Sequence, residues 1–178
     1  MNKVVAFAAL SLLAVGAAPV FADSKDRDQT FFQSVEGQWV GPGEIVAGKY
    51  KGTKFSCSLA GSTPSGKVGM TLDGSCRVGV FSQPMKATVV RSGKTYSGSF
   101  MDGAKGKGLD IVGGNVSGDR VVFSLNRKQL NGAMVARISD LDTMNVTVSV
   151  RLDTETVPVI GMTLKRVDTT LTSSVKKN

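Results

Sequence analysis

From Gly37 onward, apolar and polar residues alternate with a period of two along much of the chain. Phe55, Cys57 and Leu59 interleave with Lys54, Ser56 and Ser58, and Val121, Phe123 and Leu125 form a stripe against Val122, Ser124 and Asn126. Met134, Ala136 and Ile138 flank Val135 and Arg137, and Val146, Val148, Val150 and Leu152 face away from Thr147, Ser149 and Arg151. Successive side chains of a strand point to opposite faces, so each run predicts a strand with one buried side. Turn signals punctuate the runs at Gly48, Thr63-Pro64-Ser65-Gly66, Asp73-Gly74, Ser92-Gly93, Asp102-Gly103, Gly113-Gly114, Gly118-Asp119, Asn131-Gly132 and Asp140 to Asp142. Several have the composition of two-residue hairpin loops. No interval between strands is long enough for a crossover helix, so the sheet is expected to be antiparallel and in chain order. About nine or ten short strands result, an all-β up-and-down meander that must close into a small barrel to bury one face.

The helical period shows once, ahead of the strands. Thr30 is placed to cap one or two helical turns carrying Phe31, Phe32 and Val35, with Gly37 as the stop. Phe31 and Val35 are four apart and share a face, which predicts a short plug packed onto the larger sheet. Residues 23–29 read as a flexible charged lead, 30–167 as a single domain, and 168–178, rich in Thr, Ser and Lys, as a disordered tail.

Residues 1–22 differ from everything that follows. Lys3 gives a positive start, Val4 to Val15 is an apolar run broken only by Ser11, and Val20-Phe21-Ala22 supplies the small residues of a cleavage site. This predicts a signal peptide and a mature chain beginning at Asp23. The apolar run is shorter than the ~20 residues of a spanning helix, so no transmembrane span is expected in the mature chain. The expected location is periplasmic, in a Gram-negative envelope. There is no cysteine at the first mature position to carry a lipid anchor.

The chain has 22 Lys+Arg, among them Lys3, against 14 Asp+Glu, a net charge of +8. The excess favours anionic partners, but the basic residues are scattered, with Lys165-Arg166 and Lys176-Lys177 the longest clusters. Few aromatics are available to stack on bases, so nucleic acid is not an expected partner. Cys57 and Cys76 are an even, isolated pair in an oxidising compartment and predict one structural disulfide at the core, since Cys57 shares the apolar side of its strand with Phe55 and Leu59, and Cys76 with Val78 and Val80. Their spacing does not suit a C-x-x-C site, and no further thiol or imidazole could complete a metal shell.

Histidine is absent. That excludes Ser-His-Asp and Cys-His catalysis and any imidazole-ligated zinc or haem. The glutamates are Glu36, Glu44 and Glu155, and the aspartates fall largely in turns. The expectation is a non-catalytic protein without cofactor or metal; an enzyme would need a paired carboxylate in a cavity, involving Glu44 or Asp110.

Gly37-Gln38-Trp39 at the head of the first strand and Arg166 near the end of the last resemble the calycin superfamily, which includes the lipocalins. There a G-x-W closes one end of an up-and-down barrel and a basic residue of the last strand packs over the indole. The resemblance implies a cation–π contact and makes Trp39 and Arg166 closure residues. The chain lacks the second T-D-Y type motif, the late disulfide and the C-terminal helix of true lipocalins. Small secreted bacterial metalloprotease inhibitors, eight-stranded barrels with an early G-x-W and a following disulfide, are also similar. They act through an N-terminal segment, here Asp23 to Gln29.

Tyr96, Phe100, Phe123 and Met134 are the candidate ligand pocket. Glycines such as Gly98, Gly113 and Gly114 are read as permitting bulges and curvature, and Lys105-Gly106-Lys107-Gly108 as a hairpin tip. The sequons at Asn115 and Asn145 are read as coincidental. One Trp and two Tyr cannot build the aromatic girdles of an outer-membrane barrel. The function expected is binding of a small apolar or amphipathic envelope ligand in the barrel mouth. The alternative is an envelope-integrity or protease-inhibitor-like module acting through surface contacts. Neither the ligand nor the oligomeric state is legible.

Overall fold

A computed structural model describes residues 24–101, 109–128 and 130–167. The signal-peptide, Asp102-Gly103, Lys105–Gly108 and 168–178 readings lie outside the described residues. Helix α1 (Ser24–Gln33) leads into ten strands: β1 (Gly37–Ile45), β2 (Lys54–Ser62), β3 (Gly69–Val78), β4 (Phe81–Ser92), β5 (Thr95–Met101), β6 (Leu109–Ser117), β7 (Arg120–Arg127), β8 (Leu130–Ser139), β9 (Thr143–Leu152) and β10 (Glu155–Val167). Each strand pairs antiparallel with its chain neighbours, and β1 pairs with β10 to close the ring. The fold is the all-β antiparallel meander and closed barrel that the alternation predicts.

Because the strands alternate in direction, the barrel has two chemically distinct ends. At one end β1 starts, and the turns at 93–94, 118–119 and 140–142 cluster with the 63–68 loop. Helix α1 docks there with Phe31 and Phe32 buried; it ends at Gln33, so Val35, also buried, lies in the turn after it rather than on a helical turn. At the other end lie the 46–53 loop and the turns at 79–80 and 153–154. The inward stripes of β7, β8 and β9 are the predicted ones: Val121, Phe123 and Leu125, then Met134, Ala136 and Ile138, then Val146 and Val148 are all buried.

Several local expectations are corrected. Thr30 is not the helix cap: α1 begins at Ser24, so residues 24–29 are helical rather than a flexible lead, and the Thr30 hydroxyl donates to the Asp26 carbonyl within the helix (2.9 Å). Asp73-Gly74, Gly113-Gly114 and Asn131-Gly132 are not turns but lie inside β3, β6 and β8. At Gly74 the glycine answers to packing, since a Cβ there would sit 2.1 Å from the Ser58 carbonyl oxygen. At Gly113 the β6–β7 register shifts, the bulge that glycine permits in a curved strand. Turns not foreseen occur at Gly79, with φ of 56°, and at Asp153, with φ of 51°. The first falls inside an apolar run, so Val78 and Val80 do not continue the inward stripe of Cys76. They are 43% and 89% exposed at a hairpin tip. Leu152 likewise leaves the β9 stripe and is exposed beside the Asp153 turn.

Candidate functional site

The end covered by α1 is locked by Trp39 and Arg166, which face each other across β1 and β10. Trp39 is fully buried, and the Arg166 guanidinium stands 4.3 Å from the centre of its ring. The indole Nε1 donates to the Val35 carbonyl at 2.7 Å. Arg166 donates to the carbonyls of Glu36, Ser34 (2.7 Å) and Leu141 (3.1 Å). One side chain thus satisfies carbonyls that follow α1 and ties them to the β8–β9 turn. The glycine of the G-x-W has its own reason: Gly37 has φ of 113°, and a Cβ there would meet the Arg166 Nη1 at 2.7 Å.

A second tie lies on the same end. The Tyr96 hydroxyl donates to the Asp28 carboxylate, which also pairs with Arg91 at 3.2 Å. Arg91 donates further to Ser24 Oγ at 3.3 Å, so the first turns of α1 are anchored to β4 and β5. Phe31, Phe32, Tyr96 and Phe123 form a chain of edge-to-face rings beneath the helix, with centroids 5.5, 5.4 and 6.0 Å apart.

Burial first, then the hydrogen bond and negative charge of Asp28, push the Tyr96 phenol well above its ordinary pKa, with Arg91 opposing. The unfolded chain releases this proton near pH 10 while the folded chain keeps it. The stability from this group is therefore whole below about pH 10 and is lost as pH rises above it. Tyr96→Phe should flatten the fall in unfolding free energy between about pH 10 and 11, measured against the parent protein by denaturant titration.

Inside the barrel is an apolar cavity of about 50 Å³. Phe31 from the helix and Val35 from the turn that follows it floor the cavity, and Met70, Met85, Met134, Met144 and Met162 line its wall with Leu72, Phe100 and Ala136. Of the four predicted pocket residues, Phe100 and Met134 line this cavity. Tyr96 and Phe123 do not; they belong to the ring chain under α1. The methionines are what sequence reasoning underweighted, since five of the seven in the chain converge here. Their alternate spacing, as in Met144 and Val146, was the available signal.

The interior is graded along its axis. Toward α1 the inward side chains are fully buried, as at Trp39, Leu164 and Met144. Toward the other end they are only partly covered, as at Phe55, Met85, Leu109 and Ile160. The interior therefore approaches solvent through an apolar mouth opposite the helix.

Cys57 and Cys76 are direct cross-strand partners on β2 and β3 and form a disulfide on the inner face. Both are buried, and Cys76 touches the cavity. Glu44 on β1 and Asp110 on β6 lie on strands far apart around the ring. Among the described residues, no group of three His, Cys, Asp or Glu side chains is placed to hold a metal, and no helix is long and apolar enough to cross a membrane.

No protein-family model and no curated protein matches the chain. Among solved structures it is similar to the crystal structure of Rv2717c from M. tuberculosis. The two share 14% sequence identity over 79% of this chain and 97% of that one, with a TM-score of 0.55. At that identity the likeness is one of fold alone. Ten strands also distinguish this barrel from the eight of lipocalins and of the inhibitors it resembles in sequence. Asp28 holds the segment that would enter a protease cleft onto the barrel wall.

Proposed function

We propose that the protein is an exported, non-catalytic, lipocalin-like binder of a small apolar or amphipathic envelope component, whose apolar part enters the barrel through the end opposite α1. The observation that carries this reading is the cavity: wholly apolar, closed at one end by the helix, and approached at the other through half-covered apolar side chains. The walls present carbon and sulfur, the stem of Lys86 among them with its ammonium paired to Asp73 at 2.9 Å, and so offer little to orient a polar ligand or to do acid–base chemistry with. Any head group stays at the mouth.

At about 50 Å³ the cavity is far below the roughly 300–1,000 Å³ of drug-sized pockets. Occupation therefore requires the wall to move. Methionine is suited to that, with its flexible, unbranched, polarisable side chain. The ligand class that fits is slender, such as a single acyl chain, rather than a broad ring system. Repacking the methionines opposes binding, so the affinity is modest and grows with chain length, by about 0.8 kcal/mol for each methylene buried.

The test is titration of the protein with a series of saturated fatty acids, read by displacement of a fluorescent acyl probe. Affinity should rise with chain length until the cavity is full. Ala136→Leu, which extends a cavity-lining side chain into the void, should abolish displacement while retaining the strand circular dichroism. Equal probe binding by the two proteins would reject the interior as the site.

A further inference from the structure

The mouth of the barrel carries a surface feature that holding a ligand does not require. Large apolar side chains are exposed on the connections at this end: Tyr50 (63%) on the β1–β2 loop, and Val78, Val80 (89%) and Phe81 (78%) on the β3–β4 hairpin. Leu130 and Leu152 stand exposed on strand ends of the same rim. The helix-covered end exposes Leu141 on its turns, and Trp39, Val35 and Phe32 there are buried. Val167 (46%) is also exposed there at the end of β10, so the two ends differ in number: most of the exposed large apolar side chains lie at the mouth.

The two most apolar tips are neighbours. Strands β2 and β3 pair with Ser56 opposite Arg77, which sets Lys54 and the loop before it beside the β3–β4 hairpin. Residues 45–54 and 77–86 together contain Lys49, Lys51, Lys54, Arg77 and Lys86 and no acidic residue. Lys86 pairs with Asp73 and Lys54 lies opposite Glu44 in the β1–β2 register, which leaves Lys49, Lys51 and Arg77 as the cationic collar around the tips. The Lys49 ammonium lies 5.6 Å from the centre of the Tyr50 ring.

We infer that this rim docks on the surface of an anionic phospholipid bilayer, with Val80, Phe81 and Tyr50 entering the interfacial layer and the collar on the head groups. Convex apolar tips do not fit a rigid partner's groove as a set, because they project from separate connections. A deformable apolar layer accepts them together, and its anionic face complements the lysines. The inference concerns the outer rim only, so it stands or falls independently of whether a ligand occupies the interior.

Phe81→Trp supplies a local reporter, because the native Trp39 is fully buried and its emission forms a constant background. Mixed with phosphatidylglycerol/phosphatidylcholine vesicles at low salt, the Phe81→Trp protein should show a blue shift that molar salt largely removes. Pure phosphatidylcholine vesicles should give little shift. In co-sedimentation without the reporter, Lys49→Gln and Lys51→Gln should each weaken binding roughly fivefold, as expected for one basic residue near an anionic surface. Val80→Ser with Phe81→Ser should weaken it by roughly tenfold or more, with the strand circular dichroism unchanged. An unshifted emission on the anionic vesicles overturns the proposal. So does sedimentation that the serine variant leaves intact, since the tips would then play no part. Neither outcome bears on the fatty-acid titration, which tests the interior.

Discussion

Replacing Trp39 with alanine is expected to remove about 3–5 kcal/mol of folding stability, the range for truncating a large buried aromatic. That is a large share of the roughly 5–15 kcal/mol available to a typical domain. The loss has three sources. A fully buried indole leaves a hole where β1, β10 and α1 meet. The Val35 carbonyl loses its 2.7 Å donor at the end of the plug. Arg166 loses the ring over which it stands, 4.3 Å away. Arg166→Ala should also destabilise, by freeing the Ser34, Glu36 and Leu141 carbonyls together. Arg166→Lys should recover only part of that, because an ammonium cannot span three acceptors as the planar guanidinium does. In a double-mutant cycle the two losses should be clearly less than additive, since each substitution already removes the shared contact. Strict additivity would mean that indole and guanidinium act separately.

The second large effect concerns the disulfide. Cys57→Ala combined with Cys76→Ala should cost about 3 kcal/mol from loop closure, for a bridge spanning some twenty residues. A further contribution arises because both sulfurs are buried on the inner face of β2 and β3. The guanidinium midpoint should fall. The dependence of free energy on denaturant should steepen slightly, because the uncrosslinked denatured chain exposes more surface. Reducing the parent protein should also lower the midpoint, but by less, because the two thiols keep the buried sulfur volume that alanine removes. A loss below about 1 kcal/mol would show that the barrel's closure already restricts the β2–β3 hairpin, leaving the bridge little to add.

Much of this architecture is legible in the chain because period-two alternation is a direct consequence of strand geometry. The stripes Val121-Phe123-Leu125 and Met134-Ala136-Ile138 are buried as written. Glycine was the weaker guide, since it has more than one use in a barrel. At Gly74 it allows the Ser58 backbone to approach, at Gly113 it serves a bulge, and at Gly79 it makes the turn. Composition alone does not separate these uses. That is why Val78 and Val80 read as core although they are exposed at a tip.

The candidate pocket was legible by half, for a related reason. Phe100, Met134, Tyr96 and Phe123 all point inward, but the position of α1 decides which of them meet empty space. Helix α1 sits over Tyr96 because Asp28 accepts from its hydroxyl, a contact between residues 68 apart in sequence. No local pattern encodes it. The apolar rim was hidden the same way, because its members come from separate connections that only the closed topology gathers at one end.

Uptake of an apolar ligand by the barrel interior leaves a trace in the protein as its own cells make it. Native mass spectrometry of the protein isolated from its own cells, before and after organic extraction, tests it most directly. The protein should be accompanied by an acyl-chain-bearing adduct that extraction removes and that Ala136→Leu protein never acquires. A single mass corresponding to the polypeptide with its one disulfide, unchanged by extraction and identical in pattern for the variant, would contradict it.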